Sequence, residues 1–141
     1  MSSREAITQY IVDKIAQVRY VKSVTREPKS LEELSRNSFP HVLVETANEV
    51  RDNSSFGQTI RQQADLDLLI NIVVHGEDRD SQRNLILEAV ERKLHEDSTL
   101  GGLAMDSLVT RIQIREIAEA DPYATAAMVY TVRYYYNRGN P

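Results

Sequence analysis

The sequence predicts a single α+β (α/β) domain over residues 1–141, built as a two-layer sandwich. Two helices pack on one face of a mostly antiparallel sheet of four or more strands, and a long hairpin arm or loop projects from the body. Three observations carry this. Residues 3–18 and 80–94 repeat apolar side chains at helical spacing. Residues 66–75 and 126–136 alternate with the period of a strand. The elements follow one another as helix, short strand, strand, arm, strand, helix, strand, strand, which suits helices on one side of an antiparallel sheet.

Composition fits that class. The 141 residues are 41% hydrophobic and 27% charged, ordinary for a globular protein and enough to bury a core. The net charge of −4 argues against a dedicated nucleic-acid binder, which normally carries a basic excess. Thirteen Arg stand against four Lys. Arginine's planar fork suits protein interfaces, and compositional bias explains the skew equally well. The absence of cysteine excludes disulfides, thiolate nucleophiles and Cys-based zinc sites. Met1 to Glu5 has no apolar targeting segment, and no run approaches the roughly 20 apolar residues of a membrane span. The expectation is that the protein stays where it is made.

Taken in order, Ser2 and Glu5 have capping-box spacing ahead of a helix from Ser3 to Val18. Ile7, Ile11, Ile15 and Val18 form its apolar stripe. Residues 20–26 read as a short edge strand stopped by Pro28, and 30–38 as a helical turn or loop. A strand at 41–47 leads into polar residues 48–63, whose turn chemistry marks the arm or loop anchored by Phe56 and Ile60. In 66–75, Leu66, Leu68, Ile70, Ile72 and Val74 face one way. Asp80 or Ser81 is expected to cap the second helix, with Leu85, Ile86, Leu87, Ala89, Val90 and Leu94 on its apolar arc. Leu100-Gly101-Gly102 then reads as the left-handed stop of that helix. Leu108, Ile112 and Ile114 are expected on one side of the next strand, and the tail 137–141 is expected to be disordered.

With helices on one face only, the other face would carry Glu45, Asp67, Asn71, Arg111, Gln113, Arg115, Thr131 and Arg133. Among them stand Leu43, Leu69, Val73, Val109 and Val129. This mixture reads either as a solvated face or as a subunit interface, and interfaces tolerate satisfied charges around apolar spots.

Nothing here spells catalysis. His41, His75 and His95 lack metal-ligand spacing, and Glu77, Asp78 and Asp80 lack the pattern of a calcium loop. Gly101-Gly102 is not followed by the Lys-Ser/Thr of a phosphate loop. Tyr130, Tyr134, Tyr135 and Tyr136 could stack bases, but aromatic residues on a strand more often pack the core or its edge. No enzyme, metal or cofactor is expected.

A helix ending in residues 94–102, a strand, the acidic connector with Asp121-Pro122 and a last strand finishing in tyrosines together form a pattern. It resembles the tail terminator (tail-completion) proteins of long-tailed bacteriophages, and the likeness takes in the N-terminal helix and the strand 66–75. The resemblance implies a structural virion protein that forms a hexameric ring on the tail tube. The ring would end tube polymerisation and join the tail to the head connector. Partners would be copies of itself, the tail tube protein, the head–tail connector and genomic DNA passing through the lumen without specific binding. No membrane is involved; assembly would occur in the host cytoplasm and the product would sit in the tail or neck. Contacts would fall on Glu45, Arg51, Phe56, Arg61, Asp67, Arg111, Arg115 and Arg133. The alternatives are another neck or head-completion protein, a small nucleic-acid-binding module using Arg111, Arg115 and Arg133, or an enzyme on a ferredoxin-like fold.

Overall fold

The run with the strongest alternation lies at the centre of the sheet. The computed structural model describes residues 1–28, 34, 36–52 and 60–141. Its elements are α1 (Ser3–Ala16), β1 (Ser23–Thr25), a short 3-10 turn (Arg36–Ser38), β2 (His41–Arg51), β3 (Arg61–His75), α2 (Arg79–Leu94), β4 (Asp106–Ile114) and β5 (Tyr123–Asn137). The strands make one sheet in the order β1-β2-β3-β5-β4. Every pairing is antiparallel except β1 on β2, which is parallel.

The expected face of β3 is the buried one: Leu66, Leu68, Ile70, Ile72 and Val74 are at most 1% exposed. They meet Val42 and Val44 of β2, and Met128, Tyr130 and Val132 of β5. Ile7, Ile11 and Ile15 of α1 close over this surface, joined by Ile86, Leu87, Val90 and Leu94 of α2. Each such side chain contributes about 1.5–3 kcal/mol by leaving water. Both helices lie on this one face. Ser2 caps α1 as expected, its hydroxyl accepting the Glu5 N–H at 3.1 Å.

The hairpin expected over 48–63 is present at its two ends, where the ladder between β2 and β3 continues to Arg51↔Ala64. Residues 53–59, Phe56 among them, lie outside the described residues. Several other expectations are corrected. The α2 cap is Asp78 rather than Asp80 or Ser81, and its side chain makes no cap hydrogen bond. Leu85 is 44% exposed, while Arg83 of the same helix is buried. Leu100-Gly101-Gly102 does not stop α2, which ends at Leu94 with right-handed His95 as its cap. The three residues instead form a separate left-handed turn. Asp97 organises that turn by accepting from the Thr99 N–H and hydroxyl and from the Gly101 N–H. Those three donors hold its carboxyl below the ordinary aspartate range. Buried Leu100 anchors the turn, and Gly101 packs against the Tyr10 ring. The tail is ordered: Arg138 N–H reaches Ile60 C=O, and the Pro141 carbonyl accepts from Ser3 N–H at 2.9 Å.

A bulge decides the faces of β4. Val109 pairs with Tyr130 and Arg111 with Val129, so Thr110 is the extra residue. The alternation therefore changes phase in mid-strand. Leu108 turns to the face away from the helices, opposite Thr131, and Val109 turns to the helix side. Ile112 and Ile114 share the helix side with Val109 yet stay 40% and 55% exposed. α2 lies over β3 and β5 and leaves this edge uncovered. No helix among the described residues is long and apolar enough to cross a membrane.

Candidate assembly interface

The sheet face away from the helices is built by the alternate residues of four strands. Glu45 of β2, Asp65, Asp67 and Asn71 of β3, Thr131 and Arg133 of β5, and Arg111 of β4 all project there. Leu43, Leu69, Val73 and Val129 stand between them, all partly buried by the neighbouring side chains.

The polar groups on this face satisfy one another. Arg133 forks onto Asp65 at 2.9 and 3.1 Å, and the pairing holds its guanidinium more firmly protonated. Thr131 donates to Asp67 at 2.7 Å. Having used its only proton, Thr131 then accepts from Thr110 at 2.9 Å. Asn71 donates to Glu45 at 3.1 Å. The Arg133–Asp65 pair can be covered by another protein without stranding a charge, and the hydrogen-bonded Asp67 and Glu45 are partly satisfied. Exposed apolar groups border the pairs: Val50, Leu108 and Tyr135 on this face, and Leu103 and Met105 beside it. Leu103, Met105, Tyr135 and Arg61 line a depression of about 280 Å³. Asp65, Asp106, Leu108, Thr131 and Arg133 line another of about 120 Å³.

The structure thus brings Glu45, Asp67, Arg111 and Arg133 together on one surface. Arg111 is exposed and has no ion pair among the described residues, and the same holds for Arg115 just beyond the end of β4. Arg61 lies over the Tyr135 ring at 4.2 Å. Arg51 falls on the helix side, since it pairs with buried Ala64.

There Arg51 belongs to a cluster that sequence reading missed. The bulge at Ala47 turns Glu49 to the helix side of β2. Glu49 accepts from the Tyr134 hydroxyl and from Arg51 Nε at 2.8 Å, with Arg4 Nε of α1 at 3.8 Å. Arg51 also covers the Tyr136 ring at 4.2 Å. Burial pushes the Glu49 carboxyl up, but the Tyr134 hydroxyl, Arg51 and Arg4 outweigh it and hold the group below the ordinary range. Burial and the bond to Glu49 push the Tyr134 phenol up. The cluster ties α1 to the far ends of β2 and β5. The only sequence signal for it was the run of tyrosines closing β5.

The sign of its pH dependence follows. A depressed carboxylate stabilises fully above its unfolded value of about 4.3, and the contribution fades as pH falls through the lower folded value. Glu49→Gln keeps an acceptor for Tyr134 and removes the charge. It should therefore unfold at lower urea than the parent at pH 7, with the difference narrowing in acid. A difference equally large at pH 7 and in acid, below the folded value, would assign the effect to packing instead.

Among the described residues no three His, Asp or Glu side chains are grouped to hold a metal. No family model matches the chain, and no curated protein matches it. Among solved structures, a chain from the virion of a native gene transfer agent particle is similar in fold. The two share 9% identity, with 92% of each chain covered and a TM-score of 0.45.

Proposed function

We propose that this chain is a structural virion subunit of the tail-terminator type. Copies of it close into a ring, of six by the family resemblance, on the finished end of a tail tube. The ring stops tube growth and offers a surface to the head connector. One observation carries the reading: a sheet face left bare by the helices, whose polar groups are largely hydrogen-bonded to one another and whose border is apolar. Such a face is built to be covered by protein.

The same observation weighs against a nucleic-acid module. Glu45, Asp65 and Asp67 share the face, and Arg133 is already committed to Asp65. The acidic balance of the chain also suits a channel through which DNA slides without being held.

Native mass spectrometry and negative-stain microscopy of the purified protein, alone and with polymerising tube protein, test the proposal. The expected result is rings of one size and shorter tubes, with density at one tube end. A monomer under both conditions, with tube length unchanged, would overturn it.

A further inference from the structure

Among the described residues the sheet has one unpaired edge and one that is only partly covered. β4 is the last strand on one side. On the other, β1 covers only His41–Leu43 of β2. Beyond Leu43 no strand among the described residues pairs with the outer edge of β2. Unpaired strand edges are templates for another strand, and proteins that must avoid pairing blunt them. β4 is instead long and bears exposed Leu108, Ile112 and Ile114.

We infer that β4 of one copy pairs with the outer edge of β2 of the next, residues 106–112 running antiparallel to 44–50. The inference rests on the ring reading above and specifies how the ring closes. Three features support it. Direction is the first: β2, β3, β5 and β4 alternate, so β4 runs opposite to β2. Rotation about an axis along the strands keeps that opposition between neighbouring copies and uses two different surfaces, as a closed ring requires.

The second is register. Each edge carries one bulge, at Thr110 in β4 and Ala47 in β2. A bulge changes which side later residues face, so most registers would match faces over only half the ladder. With Arg111 opposite Glu45, the two phase changes fall side by side and cancel. Ile112 then lies opposite Val44 and Ser107 opposite Glu49 on the helix side, with Leu108 opposite Asn48 on the open side. Leu108 is also a diagonal neighbour of exposed Val50.

The third is charge. Arg111 has no ion pair of its own, and Glu45 is bonded only to the neutral Asn71 amide among the described residues. Pairing β4 with β4 of a second copy can also match faces, but it sets Arg111 opposite Leu108 and offers Asp106 only as a diagonal neighbour, with no carboxylate directly opposite.

The natural absence of cysteine makes the test clean. Residues directly opposite in an antiparallel ladder stand about 4.5–5.5 Å apart at Cα, within disulfide reach. On mild oxidation the Asn48→Cys/Leu108→Cys double variant should give a ladder of covalent oligomers, and Asn48→Cys paired with Arg92→Cys should not. In the ladder-forming background, Glu45→Arg or Arg111→Glu alone should weaken cross-linking severalfold, and the two together should restore it, which a folding defect would not do. Rings seen by native mass spectrometry without a ladder overturn the inference and leave the ring reading standing. A covalent dimer from Leu108→Cys/Arg111→Cys, the two positions that β4–β4 pairing sets opposite, overturns it in favour of that pairing. Neither rings nor ladder overturns both.

Discussion

Truncating Ile70 to alanine should cost the fold about 2–5 kcal/mol, while Ile112→Ala should move stability by only about 0.5 kcal/mol. Both isoleucines lie on the helix side of the sheet, opposite one another across Met128. Ile70 is fully buried on the central strand, with Val44 on its other flank and both helices closing the same core. Removing its methyl groups leaves a hole that a packed interior does not refill. Ile112 is 40% exposed because α2 stops short of β4. Its truncation should instead weaken self-association, since Ile112 is part of the edge proposed to receive a neighbour. Urea unfolding monitored by circular dichroism separates the two, with Ile70→Ala lowering the midpoint at unchanged slope. Equal losses in the two variants would mean that the β4 edge is as well packed as the core.

The contrast between these residues marks where sequence was informative. Alternation in 66–75 identified the buried face of β3 residue by residue, because a strand at the sheet centre has one face committed to the core. The same rule failed in β4. Thr110 carries no side-chain signal for a bulge, yet it moves Leu108 to the open face and Val109 to the helix side. The polar composition of 48–63 suggested a hairpin arm or loop, and its two ends are held by backbone pairing. In α2, Leu85 fits the apolar arc by type but points outward, and Arg83 takes a core-facing position through bonds to distant carbonyls that no local pattern encodes.

The open face was legible in the same uneven way. Glu45, Asp67, Arg111 and Arg133 came from simple alternation and share the open face. Their pairing did not, because partners such as Asp65 and Arg133 are brought together by the β3–β5 register. Arg51 went to the other side because of the bulge at Ala47, which also created the Glu49 cluster.

Arg83→Met should destabilise the protein by about 1–3 kcal/mol, the cost of a carbonyl deprived of its donor. Arg83 is 4% exposed and donates from Nη1 to the Arg115 carbonyl at 2.7 Å and the Thr125 carbonyl at 3.1 Å. It thereby clamps α2 to the end of β4 and the start of β5. Methionine fills similar space but offers no donor, so the Arg115 carbonyl loses this donor, while the Thr125 carbonyl keeps the Arg115 N–H at 3.4 Å. The buried Nε, which has no partner among the described residues, disappears too and offsets part of the loss. Arg83 also meets Asp80 at 3.0 Å, but that carboxylate is 69% exposed and the pair contributes little. Asp80→Asn should therefore be nearly neutral, with Arg83→Lys intermediate because one ammonium cannot reproduce the fork. Hydrogen exchange in Arg83→Met should rise first at the adjoining ends of β4 and β5, where the clamp acts. Losses of equal size in Asp80→Asn and Arg83→Met would reverse the assignment, making the ion pair rather than the carbonyl clamp what fixes β4 at the edge.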